Sequence, residues 1–261
     1  MHKKCGFSLI ELMIAMLIAL IIISAVMSIY VSTIKNSRNL LSSASLSQEL
    51  TAVMNILVND IRRSGFYSGA AENPQIKNNP FYIIKGVLPQ TKPASYFMPF
   101  AIHINSKQNC ISLAYDADQD TGVNVQQNDV FAFRLKKQAI QTLQQVKLSN
   151  FSKHGCANNA GSWMNITDNG LIRITRLKFS SLGSRCYHMA SQKQWQITAN
   201  TYQFPCLSVK DKLTSFQAGD RLIETQLVNI QIQAHLSSDS KVEKLLSQQV
   251  RIRNDMVLII P

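Results

Sequence analysis

Three aspartates at alternate positions, Asp116, Asp118 and Asp120, followed by Gly122, form the stretch of this chain best suited to chemistry. Carboxylates spaced in this way can converge hard oxygen ligands from a tight turn, which is how a calcium loop begins. The agreement with a helix-loop-helix calcium loop then fails. Gly122 comes one residue late, and the twelfth position is Gln127, which has no carboxylate with which to grip an ion through two oxygens. Asp129 is a substitute in a different geometry, and an Asx-rich hairpin turn accounts for the same residues without any metal. Calcium on Asp116, Asp118 and Asp120 is the only cofactor the pattern raises, and otherwise none is expected.

The cysteines come next. Cys5 lies in the basic leader, which leaves Cys110, Cys156, Cys186 and Cys206, an even number suited to two disulfides in an oxidising compartment. Four cysteines allow three pairings, and spacing does not choose among them. His154-Gly155-Cys156 and Cys186-Tyr187-His188 pair zinc-type ligands, but their one-residue gaps fall short of the usual spacing. The remaining histidines, His103 and His235, stand apart, and there is no Gly-x-Ser-x-Gly elbow, phosphate loop or His-Glu-x-x-His. The chain therefore reads as non-enzymatic.

The other chemically loaded residue is Glu11. It is the single formal charge in the run Phe7 to Tyr30. At about 1.5 Å per residue, residues 7–30 make a helix roughly 36 Å long, against a hydrocarbon core of about 30 Å. A carboxylate inside such a run costs on the order of 2.5–3.5 kcal/mol at mid-bilayer, so it requires a compensating partner. His2, Lys3 and Lys4 precede the run and keep the leader on the cytoplasmic side, which sends the rest of the chain across the membrane. Gly6 marks the junction between leader and apolar run, and no small-residue cleavage site follows the run, so any cut falls before the helix.

The elements that position these residues follow from periodicity. Nothing from Phe7 to Ser64 is Gly or Pro, so the helical window is unbroken. Beyond Lys35 and Arg38 it turns amphipathic, with Leu46, Leu50, Val53, Met54, Leu57 and Ile61 on one face that should pack against a globular domain. Arg62, Arg63 and Gly65 suit a helix C-terminus. Residues 66–99 hold five of the chain's seven prolines and read as an irregular connection. Strands are expected at 97–104, 110–115, 129–135, 138–148, 171–180, 194–204, 221–235 and 246–260. Short links imply hairpins and an antiparallel sheet, hence an α+β fold. Lys and Arg exceed Asp and Glu by 12. Lys136, Lys137, Arg173, Arg176, Lys178, Arg185, Arg251 and Arg253 form a stripe for DNA or another anionic surface if their strands adjoin, and a solvated face otherwise.

The junction Gly6-Phe7-Ser8-Leu9-Ile10-Glu11-Leu12 resembles the class III leader of type IV pilins and type II secretion pseudopilins. The resemblance implies that a prepilin peptidase cuts between Gly6 and Phe7 and methylates the new N-terminus. It also implies that Glu11, the fifth mature residue, meets the N-terminal amine of a neighbouring subunit during assembly. Asp60-Ile61-Arg62-Arg63-Ser64-Gly65-Phe66 resembles the "D-I-R-x-x-G-aromatic" signature of PilW-type minor pilins and J-type pseudopilins. Val250-Arg251-Ile252-Arg253-Asn254 resembles the closing "V-x-I-R-N" of the PilW type. The expected fold is then a long N-terminal helix packed on an antiparallel β-sheet domain. Its parts are a leader at 1–6, a transmembrane part at 7–30, an amphipathic half at 31–65 and a β-rich head at 66–261. The expected function is a minor pilin that primes or caps a type IV pilus, with a minor pseudopilin, a tip adhesin or a DNA-contact subunit as alternatives. Expected partners are other minor pilins, the major pilin, the prepilin peptidase and the inner-membrane assembly platform. The subunit would wait in the inner membrane with its head in the periplasm before entering the surface filament.

Overall fold

The computed structural model describes residues 8–68, 101–119, 126–144, 146, 156–199, 201–206, 217 and 219–259. Gly6, Phe7, Asp120, His154 and the proline-rich connection from residue 69 to 99 lie outside the described residues. The chain forms two compact units that divide between Ser45 and Leu46.

The first unit is helical. Helix α1 runs Leu9–Arg63 and begins at Ser8, whose carbonyl accepts the N–H groups of Glu11 at 3.1 Å and Leu12 at 3.2 Å. From Leu9 to Val31 the large apolar side chains are 51 % to 78 % exposed, and the helix is long and apolar enough to cross a membrane. Hydroxyls within the run and just beyond it turn back onto the backbone: Ser24 donates to Ile21 O at 2.8 Å and Thr33 to Ile29 O at 2.9 Å. Such bonds leave no polar hydrogen of these side chains to be satisfied by lipid.

In the second unit the helix has one buried face: Leu46, Leu50, Val53, Met54, Leu57, Val58 and Ile61 are each 4 % exposed or less. Each contributes about 1.5–3 kcal/mol of burial relative to exposure. They pack into one core with Ile102, Ile111, Phe133, Ile140, Phe179 and Ile232. This is the expected α+β fold, with every strand pairing antiparallel.

Among the described residues the strands make three sheets rather than one. β1 (Ile102–Ile104), β2 (Cys110–Ala114), β3 (Val130–Lys136), β4 (Ala139–Gln144) and β5 (Ser162–Asn165) form a five-stranded meander. β6 (Ile172–Ser180) lies in a second sheet, and β7 (Arg185–His188) and β8 (Gln194–Gln196) form a hairpin in a third. The stretch expected as one strand at 221–235 breaks at Gln226 into β9 (Arg221–Thr225), in the third sheet, and β10 (Leu227–Leu236), in the second. The 246–260 stretch likewise divides into β11 (Glu243–Arg251), beside β10, and β12 (Met256–Ile259), beside β9. The two breaks face each other, with Ile252 N–H donating to Gln226 O at 3.0 Å, so both chains turn the same corner between sheets. β5 and β7 were not expected from the sequence, and the stretch at 194–204 shrinks to β8. These short strands carry weak alternation, and pairing with neighbours decides them.

The cysteines pair as Cys110–Cys156 and Cys186–Cys206, closing spans of 46 and 20 residues. With Cys156 and Cys186 in disulfides, neither offers a thiolate to zinc.

Candidate functional site

At the N-terminal end of α1, Glu11 occupies the third helical position behind Ser8. Its Oε2 accepts the Ser8 N–H at 3.2 Å. Ser8-Leu9-Ile10-Glu11 thus has the spacing of a capping box, and the carboxylate sits where the helix dipole favours negative charge. Glu11 thereby holds one backbone donor that has no partner within the helix. The S-x-x-E spacing was legible in the sequence.

At the other end of α1, the Asp60–Phe66 and Val250–Asn254 motifs come together in space. Gly65 turns the chain with φ +75° and donates its N–H to Ala114 O at 2.9 Å. Ser64 Oγ donates to Ala101 O at 2.6 Å, and Asp116 N–H donates to Phe66 O at 2.9 Å. From the C-terminal motif, Arg253 N–H donates to Arg62 O at 3.2 Å and Asn254 Nδ2 to Ser64 O at 3.1 Å. The carbonyls exposed by the end of the helix are thus taken up by the link between β11 and β12. Tyr115, stacked on Phe131 at 4.5 Å, donates its hydroxyl to Asp60 Oδ1 at 3.1 Å. Burial raises the Asp60 carboxyl above its ordinary range, with the Tyr115 bond and the Arg63 charge opposing. Burial and then the Asp60 charge raise the Tyr115 phenol.

Beside this junction, Asp116, Asp118 and Asp129 offer carboxylate oxygens that lie within 4.8 Å of one another. Asp116 is 5 % exposed and Asp129 2 % exposed, whereas Asp118 is exposed. Asp116 Oδ2 accepts both the N–H of Ser68, at 3.0 Å, and its hydroxyl. Asp129 Oδ2 accepts Gln126 N–H at 2.7 Å and Oδ1 accepts Ala117 N–H at 3.2 Å, while Asn128 Nδ2 donates to Asp118 Oδ2 at 2.5 Å. Burial raises the Asp129 carboxyl; the two backbone bonds oppose this, and the Asp118 and Asp116 charges add to it. Two of the three aspartates named from the sequence are therefore together, and Asp129 completes the group.

The basic residues divide among sheets. Arg173, Arg176 and Lys178 lie along β6, where Ile172, Ile174, Leu177 and Phe179 point into the core. A register shift opposite Gln233 and Ala234 lets Thr175 and Arg176 both face outward, so Arg173 and Lys178 share one face despite their odd spacing. Lys137 and Gln138, both at positive φ, form the β3–β4 turn, and Gln138 Oε1 accepts Arg173 Nη1 at 3.3 Å. Lys136 Nζ donates to Asn158 Oδ1 at 2.8 Å, Arg185 lies in the third sheet, and Arg251 is paired with Asp255 at 3.0 Å. The stripe is thus reduced to the β6 face and the adjoining turn.

Two buried groups were not anticipated. His188 joins Ser191 Oγ at 2.6 Å through Nδ1 and Asp220 Oδ2 at 3.1 Å through Nε2, tying the turn after β7 to the start of β9. Glu224, fully buried, accepts Cys206 N–H at 2.7 Å and Gln226 Nε2 at 2.6 Å. Burial pushes its carboxyl up to about 7.

A family model described as prepilin peptidase-dependent protein B matches residues 39–252. A model of the prokaryotic N-terminal methylation motif matches residues 1–27. No curated protein and no solved structure matches the chain.

Proposed function

Because the chain belongs to the prepilin peptidase-dependent protein B family and is a type IV pilin-like protein, we propose that it is a minor pilin, a non-enzymatic subunit that primes or caps a type IV pilus. The observation that carries the proposal is the exposed apolar run of α1 with one carboxylate, Glu11, in its first turn, inside the span of the methylation motif.

The proposed sequence of events uses residues at both ends of α1. Lys3 and Lys4 hold the leader inside, the peptidase cleaves between Gly6 and Phe7, and the helix waits in the inner membrane with the head in the periplasm. Removal of the leader frees the Phe7 amine. On entry into the filament the apolar face is buried among neighbouring helices, and Glu11 exchanges part of its bond to its own backbone for the cationic amine of an adjacent subunit. Pairing of two otherwise isolated charges offsets the cost of keeping either in an apolar bundle. Other minor pilins, the major pilin and the assembly platform are the partners such a route requires.

Surface piliation and extracellular enzyme secretion, measured side by side in a strain lacking this chain and in its complemented form, test the role. Loss of pili with normal secretion supports the minor pilin. Loss of secretion with normal pili moves the chain to the pseudopilus. Complementation with Glu11→Ala should leave leader removal intact and abolish incorporation into sheared filaments; normal incorporation would remove Glu11 from assembly.

A further inference from the structure

We propose that Asp116, Asp118 and Asp129 bind a calcium ion that braces the point where helix α1 enters the head. The convergence of three carboxylates is the first observation. The second is an oxygen without a hydrogen-bond partner. Asp116 is 95 % buried and its Oδ2 is committed to Ser68, yet Oδ1 is buried and has no partner among the described residues. A carboxylate oxygen left bare in the interior costs more than almost any other unpaired acceptor, and a cation is the partner that two further carboxylates at this distance call for. Asp116 and Asp129 also have no ion pair among the described residues.

Calcium is the divalent ion that suits the group, because it takes carboxylate oxygens at about 2.3–2.6 Å in flexible geometry, whereas magnesium demands near-ideal octahedral geometry at about 2.1 Å and keeps several of its waters. The three carboxylates each offer one oxygen within 4.8 Å of the others, so all three can reach one calcium ion. Calcium sites of extracellular modules bind in the range of about 0.1–1 mM, which suits a head placed in the periplasm as proposed above. The consequence is local. Asp116 holds Ser68, which follows the helix-ending turn, and its N–H holds Phe66 O. A cation joining Asp116 to Asp129 would therefore fasten the exit of α1 to the start of β3.

The test uses the full chain in detergent micelles, stripped of divalent ions, with thermal unfolding and calorimetric titration in calcium chloride or magnesium chloride. At calcium about tenfold above its dissociation constant, the midpoint should rise by about 3–6 °C. Magnesium at equal concentration should raise it far less. Asp116→Asn should lower calcium affinity at least tenfold, and Asp118→Asn, at an exposed position that leaves the head folded, should lower it as well. The proposal is overturned if the unmodified chain binds no calcium up to about 10 mM, well above the weak range for such sites. It is equally overturned if magnesium acts as strongly, or if Asp118→Asn retains full affinity.

Discussion

Replacing Glu224 with Gln should stabilise the head at alkaline pH and leave it little changed in acid. The carboxyl is fully buried on β9, and its pKa is raised from 4.5 to about 7 because burial outweighs the bonds from Gln226 and Cys206. The folded state therefore holds this proton more tightly than the unfolded chain does. Its stabilising contribution is complete below about pH 4.5 and is lost as pH rises through about 7. A separation of about 2.5 pK units at about 1.4 kcal/mol each makes the loss about 3 kcal/mol at pH 8. Gln cannot ionise, so that loss disappears. Its carbonyl keeps the Cys206 N–H, and its amide requires Gln226 to turn over, bringing Gln226 Oε1, buried and unpartnered among the described residues, into a bond. The measurement is thermal unfolding of the full chain in detergent with disulfides intact, followed by near-ultraviolet circular dichroism from pH 4.5 to 9. The variant should melt about 6–12 °C above the parent at pH 8 and close to it at pH 5. Parallel pH profiles would refute the reasoning, since they would mean that Glu224 does not titrate between the two conditions.

Gly65→Ala places a side chain at φ +75° in the turn that ends α1. It should cost about 1–2 kcal/mol and lower the midpoint by several degrees in the same assay; an unchanged midpoint would mean that the turn relaxes out of the left-handed region. The alternative of a DNA contact through the β6 face predicts phosphate-mediated affinity for a short duplex that falls steeply between 50 and 200 mM salt. Changing Arg173, Arg176 and Lys178 together to Gln should reduce the slope of log affinity against log salt by up to about 3, and an unaltered slope in fluorescence anisotropy would exclude this face.

How much of this was legible beforehand depends on the distance over which each feature is set. The helix, its buried stripe and its end at Gly65 follow from residues within a few positions of one another, because helical periodicity and caps are local. The register shift in β6 is also written locally, as a change of phase between Ile172 and Ile174 and Leu177 and Phe179. The sheet count was not legible. Residues 221–235 look like one strand because β9 and β10 are both apolar in alternation, and only pairing with β7, β6, β11 and β12 sends the two halves to different sheets.

The sequence by itself determined the basic leader, the apolar run, its single carboxylate and the amphipathic half that follows, all of which depend on neighbours along the chain. The tertiary structure decided that Cys110 meets Cys156 and Cys186 meets Cys206, that Asp129 joins Asp116 and Asp118, and that Arg253 and Asn254 close over the end of α1. These contacts join residues 11 to 191 positions apart. Loop closure changes so slowly with length that spacing barely favours one partner over another, and the choice is left to the packing of the sheets around one core.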